Sequence, residues 1–349
     1  MKESVNIILL TIRFLPVTRD LIRNLIAAVE DLQGVHLTIA DGQGEEHKKR
    51  WILSKTGDIA SQGKFTYIEG RDFSERTWIA LQRETEWIFS VADDDNISIN
   101  LIRALYEAVQ VAAPDISAIA PYTYMPFSKN NAWLRRLVDI TGETQQQRIT
   151  ALLNQLPIIG SLIWSAVRRE YYLDWVKFTR AKQMAPTYLD QVLVAYLTMR
   201  GKVVACKEVC LYVKDDQVWC ELESSVIKDA SYYPDISVTL IHEVLMVADI
   251  YAFLTAHGLE DDALIRLTVW TNSLLIRAAA LFDGRCSILG IEQSKERELV
   301  RALLYQLAAT AKLLADKPIN QYHAFYGWVQ SVCAVLTAAP REAVHRIPA

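Results

Sequence analysis

The sequence lacks most of what would mark a secreted, membrane-spanning or nucleic-acid-binding chain. Its five cysteines, Cys206, Cys210, Cys220, Cys286 and Cys333, are an odd set without a C-x-x-C pair. They suit free thiols in a reducing, cytoplasmic setting rather than a disulfide framework. A zinc site built on Cys206, Cys210 and Cys220 finds no fourth ligand nearby. Positive charge is not in excess: 37 Lys and Arg face 41 Asp and Glu, a formal net charge of −4. No basic surface is therefore advertised to nucleic acid or anionic lipid. The apolar windows "ISVTLIHEVLMVADIYAFLTA" and "LIRLTVWTNSLLIRAAALF" are long enough to span a bilayer, but carry His242, Glu243 and Asp249, and Arg266 and Arg277. Those charges make spanning costly, so buried helices are expected, with at most a peripheral association with a membrane. The opening "MKESVNIILLTIRFLP" reads as a first strand rather than an export signal. There is no internal repeat and no low-complexity tract.

What is present is globular: 51% hydrophobic and 22% charged residues over 349 positions, a length that suits two domains. In the first part strand and helix patterns alternate. "VNIILLT" is an apolar run of strand length, "TRDLIRNLIAAVEDL" has helical spacing, and "VHLTIA" is a second strand ending at Asp41-Gly42. A basic helix at "EEHKKRWILSK", a strand at "KFTYIE", a short helix at "SERTWIALQR" and the strand "EWIFSVA" follow. Such alternation implies βαβ units and a mostly parallel sheet, whose ligands sit at the carboxyl ends of the strands. "PDISAIAPYTY" reads as another strand, "NAWLRRLVDITGETQQQRITALLNQLP" as one or two helices, and "IIGSLIWSAVRREYYLDWV" as a strand feeding a helix. "PTYLDQVLVAYLTMRGK" is a helix opened at Pro186 or Thr187 and closed at Gly201, with strands "VVACK" and "VCLYVK" behind it. From about Ser231 four amphipathic helices remain, joined by short connections that favour a bundle. The domains are expected at 1–228 and 229–349. Trp270, Tyr305, Tyr322, Phe325 and Trp328 mark the bundle's apolar stripes, which would form its core or meet a second subunit or a lipid-linked acceptor.

The stretch "TEWIFSVADDDNISINLIRALYEAV" crowds Asp93, Asp94 and Asp95 at the mouth of a strand. Three like charges there repel and are partly desolvated, so a cation is expected. Mg²⁺ held by one or two carboxylates and a substrate's phosphates fits. A solvated turn with Asp95 or Asn96 as helix N-cap fits the same residues.

The order of these segments resembles nucleotide-sugar glycosyltransferases of the GT-A fold, family-2-like. The likeness rests on "IILLT-IR", the strand ending in Asp41, the block "ERTWIALQRETEWIFSVADDDN" and the later "TYLDQVLVAYLTMRGKV", and covers roughly residues 5 to 215. Arg76 and Thr77 stand where that family has Arg-Asn. The resemblance implies an α/β fold: a GT-A-like, Rossmann-like, mostly parallel sheet flanked by helices, followed here by an all-α C-terminal helical bundle. It implies that Asp41 accepts hydrogen bonds from a nucleobase beside Thr11 and Arg13, that Asp93 and Asp95 hold Mg²⁺ or Mn²⁺ on the donor diphosphate, and that Asp94 meets the ribose or the sugar. Arg76 would contact the sugar or diphosphate, and Asp190 would be the general base of an inverting transfer to a glycan or lipid-linked acceptor.

Two departures stand out. Leu189-Asp190 replaces the family's pair of acids, and "LYVKDDQVW" lacks the later histidine ligand, leaving Asp215, Asp216 or Lys214 in its place. A nucleotidyltransferase uses a similar sheet, but its glycine-rich loop is missing from "TIRFLPVTRD". A binding or scaffold protein with a decayed site is a third reading.

Overall fold

In a computed structural model, the structure describes residues 4–70, 73–93, 97–127, 132–136, 139–154, 165–182, 189–212, 251–264, 295–314 and 317–338. The chain divides into two compact units. The first comprises residues 1–143, 155–183 and 189–224; the second takes 144–154, 184–188 and 225–349.

The first unit is built on one mixed sheet. Its parallel part comprises β1 (Val5–Thr11), β2 (Val35–Asp41), β3 (Phe65–Glu69) and β4 (Trp87–Ala92), in the order β3-β2-β1-β4. β1 lies at the centre. Ile7, Ile8 and Leu9 are sealed from solvent, as expected for a strand covered on both faces, and each such burial is worth about 1.5–3 kcal/mol. The polar exception within β1, Asn6, is satisfied: it donates to Ala80 O at 3.1 Å and accepts from Thr38 Oγ1 at 3.0 Å. α1 (Pro16–Asp31) crosses over from β1 and buries Leu21, Ile22, Leu25, Ile26 and Val29, the spacing of one helix face. Pro16 opens it, where a missing N–H costs nothing. α2 (Glu46–Lys55), α3 (Gly57–Ser61), α4 (Phe73–Ala80) and α5 (Ile99–Gln110) follow.

Beyond β4 the sheet changes direction. β5 (Ile116–Phe127) pairs antiparallel with β6 (Ala132–Arg136), and both β4 and β5 pair antiparallel with β7 (Ala166–Arg168). After α6 (Gln145–Asn154), α7 (Arg169–Lys182) and α8 (Leu189–Arg200), β8 (Lys202–Tyr212) runs parallel to β5. Thus "NAWLRR", expected as helix, starts with a strand; its alternation is read out only because the far half of β5 offers an edge. "VVACK" and "VCLYVK" form one strand with an irregularity opposite Pro121 and Tyr122, not two. Gly201 makes the α8–β8 turn possible, because a Cβ there would sit 2.6 Å from Asp115 O.

In the second unit the described segments are α6, helical turns at 251–256 and 261–264, α9 (Lys295–Leu313) and α10 (Ile319–Ala338). Two of the four expected helices are thus present in full, and most of the other two, with Trp270, lie outside the described residues. Tyr322 and Phe325 are buried, whereas Tyr305 and Trp328 are exposed. Tyr251 stacks on Tyr326 at 4.3 Å, and its hydroxyl pairs with His323 Nδ1 at 2.6 Å. The Gln145 side chain closes the 258–260 turn, bonding Gly258 O at 2.9 Å and Glu260 N at 3.1 Å. Among the described residues no helix is long and apolar enough to cross a membrane.

Candidate active site

The sheet order fixes where a ligand goes. From β1 the chain winds to β2 and β3 on one side, then returns to β4 on the other, so the topological switch point lies between the carboxyl ends of β1 and β4. Crevices in open α/β sheets form there. Thr11 ends β1 and Arg13 follows it, Asp41 ends β2 in register with Thr11, and Asp93 follows β4.

Asp93 is nearly sealed, and its carboxylate turns onto the loop that leaves β1. Oδ2 accepts from Ile12 N at 2.7 Å, Arg13 N at 2.6 Å and Thr11 Oγ1 at 3.1 Å. Oδ1 lies 3.9 Å from Arg13 Nη1. Thr18 Oγ1 donates to Asp93 O at 3.1 Å and accepts from Leu15 N, tying the start of α1 to the end of β4. Asp94 and Asp95 lie outside the described residues. The helix after them is capped by Ser98, whose hydroxyl accepts from Leu101 N at 3.1 Å. Asp95 and Asn96 are therefore not its N-cap, and the capping explanation of the triplet falls away.

Asp41 is fully buried and already engaged. Oδ1 takes Lys48 Nζ at 2.9 Å and Gln43 N at 3.0 Å, and Oδ2 takes Tyr67 OH at 2.7 Å. Lys48, from α2, is equally sealed. Burial alone would raise the Asp41 pKa, but Lys48, Tyr67 and the Gln43 amide outweigh it and hold the carboxyl below its ordinary value. A buried ammonium this far from water needs such a counter-ion. Sequence reading missed Lys48 and Tyr67. The signal available was a lysine seven residues after Asp41 in a helix that also carries Ile52, but nothing in a single basic helix tells which of its lysines turns inward.

Arg76, from α4, is also buried, and its side chain runs past Gly70 to the backbone of Gly42. A Cβ at Gly42 would sit 3.0 Å from Arg76 Cζ and overlap the guanidinium, which would have to shift to admit a side chain there. The structure thus brings Thr11, Arg13, Asp41, Arg76 and Asp93 to one edge of the sheet. Beside them Phe14 meets His47 and Trp51 edge-on at 5.5 and 5.3 Å, with Arg19 over its ring at 4.5 Å.

Asp190 is in the first turn of α8, and its side chain is outside the described residues. Arg200 and Gly201 end that helix at the amino edge, where Lys202 N bonds Asp115 O at 2.8 Å. Twelve residues running back along the sheet span about 18 Å, which carries the first turn toward the carboxyl edge. Asp174, a carboxylate on α7, accepts from Tyr196 OH at 3.0 Å. Lys214, Asp215 and Asp216 lie outside the described residues. No group of three or more His, Cys, Asp and Glu side chains suited to a metal ion occurs among the described residues. Of the two carboxylates expected to hold the cation, Asp93 alone is described, and its Oδ2 is spent on the chain itself.

No family model matches the chain, and no curated protein does. Solved structures do. Residues 1–349 of TarS from S. aureus are 11% identical over 94% of this chain and 92% of that one, with a TM-score of 0.42. The mannosyltransferase PcManGT from Pyrobaculum calidifontis, solved with GDP-Man and Mn²⁺, is 12% identical over 97% and 88%, with a TM-score of 0.42. Glucosyl-3-phosphoglycerate synthase from Mycobacterium tuberculosis, with Mn²⁺, UDP and glucosyl-3-phosphoglycerate, is 14% identical over 66% and 80%, with a TM-score of 0.38.

Proposed function

We propose that this chain is a glycosyltransferase that moves a sugar from a nucleotide-diphosphate sugar to an acceptor hydroxyl, with inversion, in cytoplasmic glycan or polysaccharide assembly. One observation carries the reading: a buried guanidinium, Arg76, packs against the backbone of Gly42 at the carboxyl edge where the loops after β1, β2 and β4 converge. A cation sealed at the carboxyl edge of an α/β sheet, beside the ends of β2 and β3, suits an anionic nucleotide.

The roles follow from placement. Thr11 and Arg13 line the pocket beside β1, with Arg76 facing the diphosphate or sugar and Asp94 the ribose or sugar. Asp41 is the acceptor for a base N–H, through Oδ2, which is bonded to Tyr67 among the described residues. Since Asp41 is sealed, the 42–45 loop must open for a base to reach it. A divalent cation, Mg²⁺ or Mn²⁺, would add Lewis-acid charge on the leaving diphosphate, with Asp95 the carboxylate left to hold it. Asp190, at the start of α8, takes the proton of the acceptor hydroxyl as the anomeric carbon is attacked. The acceptor is a glycan or a lipid-linked sugar, with the helical unit available for acceptor binding or for pairing with a second copy.

A panel of nucleotide sugars, assayed for donor hydrolysis and transfer, tests the reading. Release of sugar and nucleoside diphosphate supports it; pyrophosphate chemistry would instead indicate a nucleotidyltransferase, and silence from folded protein a scaffold.

A further inference from the structure

We infer that Asp93 is a positioning residue for the donor loop and not a ligand of the cation, an inference that rests on the nucleotide-sugar reading above. Sequence spacing makes Asp93 an outer carboxylate of a metal-binding triplet, yet its geometry serves a different task. Three donors converge on Oδ2, two of them consecutive backbone amides, Ile12 N and Arg13 N, at 2.7 and 2.6 Å. These are short, charge-assisted bonds, the strong kind. The third, Thr11 Oγ1 at the end of β1, shares its single proton between Asp93 Oδ2 at 3.1 Å and Arg13 O at 3.0 Å.

The remaining oxygen, Oδ1, is a poor place for a dication. Mg²⁺ sits about 2.0–2.1 Å from its oxygens. At Oδ1 it would share a nearly solvent-free position with the Arg13 guanidinium, whose Nη1 is 3.9 Å away, and the two positive charges would repel. The Asp93 backbone is used too. Its carbonyl accepts from Thr18 Oγ1, which in turn accepts from Leu15 N. One residue therefore holds both ends of the 11–18 connection to the end of β4, on the side of the switch point where a donor would lie.

This arrangement has a chemical consequence. The amides of Ile12 and Arg13, which a phosphate site would otherwise turn toward an anion, are committed to Asp93. Donor charge must then be met by side chains, Arg13 and Arg76 among them. Asp93 acts by fixing where Arg13 and Phe14 leave the backbone.

Two substitutions separate the roles. Asp93→Asn keeps an oxygen for the two amides and the Thr11 hydroxyl but removes the charge that a cation needs; Asp93→Ala removes both. Calorimetric titration of UDP and GDP, with and without Mn²⁺, is run on wild type and both variants, alongside backbone amide exchange of Ile12 and Arg13. The expected result is that Asp93→Asn keeps the Mn²⁺-dependent gain in affinity within about threefold and keeps both amides protected. Asp93→Ala should lose tenfold or more with and without Mn²⁺, with faster exchange at both amides. Loss of the Mn²⁺-dependent gain in both variants, with metal-free affinity unchanged, would make Asp93 a metal ligand and overturn the inference. If wild type binds neither nucleotide, the functional reading fails and exchange alone decides the clamp: protection in wild type and Asp93→Asn but not in Asp93→Ala supports it, and equal rates in all three overturn it. Should Asp93→Ala fail to fold, Thr18→Val replaces it, with faster exchange at Leu15 and Arg13 expected and unchanged exchange counting against the clamp.

Discussion

At the amino edge of the sheet, cations collect carbonyls and exposed carboxylates; at the carboxyl edge, buried carboxylates collect N–H and O–H groups. Arg168 lies over the Trp87 ring at 4.2 Å, donates to Ile116 O and Ala113 O at 3.1 Å each, and pairs with Glu86. Arg169 holds Leu81 O, and Lys202 pairs with Asp115 and Glu143 at 3.0 and 2.7 Å. Each of these closes a turn, and most of the acidic partners are well exposed. The carboxyl edge instead buries its acids. Asp41 and Asp93 gather six N–H and O–H donors from loops and neighbouring elements that would otherwise be loose. The same strands thus end in a satisfied rim on one side and, on the other, in loops pinned by buried charge beside a buried guanidinium. Rigid scaffold and shaped loops divide in this way when one edge carries function.

The comparison breaks if function-directed substitutions behave like structural ones. The largest effect is expected at Asp190. Asp190→Asn keeps the side chain's shape and removes the proton acceptor, so turnover should fall about 10²- to 10⁴-fold, roughly 3–5 kcal/mol of barrier, with donor affinity nearly unchanged. A helix-terminus charge alone is worth about 1 kcal/mol or less. Steady-state kinetics with a fixed acceptor checks it, and activity within a few-fold of wild type would send the search for a base to Asp174, Asp215 and Asp216.

Next comes the buried pair. Asp41→Asn leaves Lys48 without a counter-ion in a sealed site and should cost about 3–5 kcal/mol in denaturant unfolding. Acid adds a sign. Because the folded Asp41 pKa lies below the ordinary 3.8, the pair's contribution is present above that value and is lost as pH falls through the folded pKa. Wild type should therefore shed this stability only below about pH 4, and Asp41→Asn should show no such loss; a wild-type decline beginning near neutrality would contradict the assignment.

At the opposite edge, Arg168→Met removes two charge-assisted carbonyl bonds and should cost about 2–3 kcal/mol of stability while leaving nucleotide affinity unchanged. A drop in affinity there would dissolve the distinction between the edges. The smallest effect is expected at Ser98→Ala, about 1 kcal/mol from the lost cap of α5, again without a change in affinity. No loss of stability would return the capping role to the aspartate triplet.

Much of this was legible in the sequence because it lies on strands with continuous apolar runs. β1, β2 and β4 show themselves in "VNIILLT", "VHLTIA" and "EWIFSVA", and Thr11, Asp41 and Asp93, at or just past their ends, mark the carboxyl edge. "NAWLRR" was not legible as strand, since its pairing depends on the far half of β5, a contact that no local period announces. The same limit hid the buried partners. Spacing can place Asp41 and Asp93 at strand ends, but Lys48, Tyr67 and the amides of residues 12 and 13 come to them from other elements. The resemblance gave Asp93 to a metal, and nothing in residue type announced that its carboxylate meets the amides of Ile12 and Arg13.

The most direct test of the account is hydrogen exchange on the wild-type chain with and without a saturating nucleoside diphosphate, UDP and GDP in turn, in the presence of Mn²⁺. The account predicts added protection at residues 11–15, 41–45 and around Arg76, with residues 84–87, 113–116 and 166–169 at the amino edge unchanged. No added protection with either nucleotide, or protection confined to the amino edge, would contradict it.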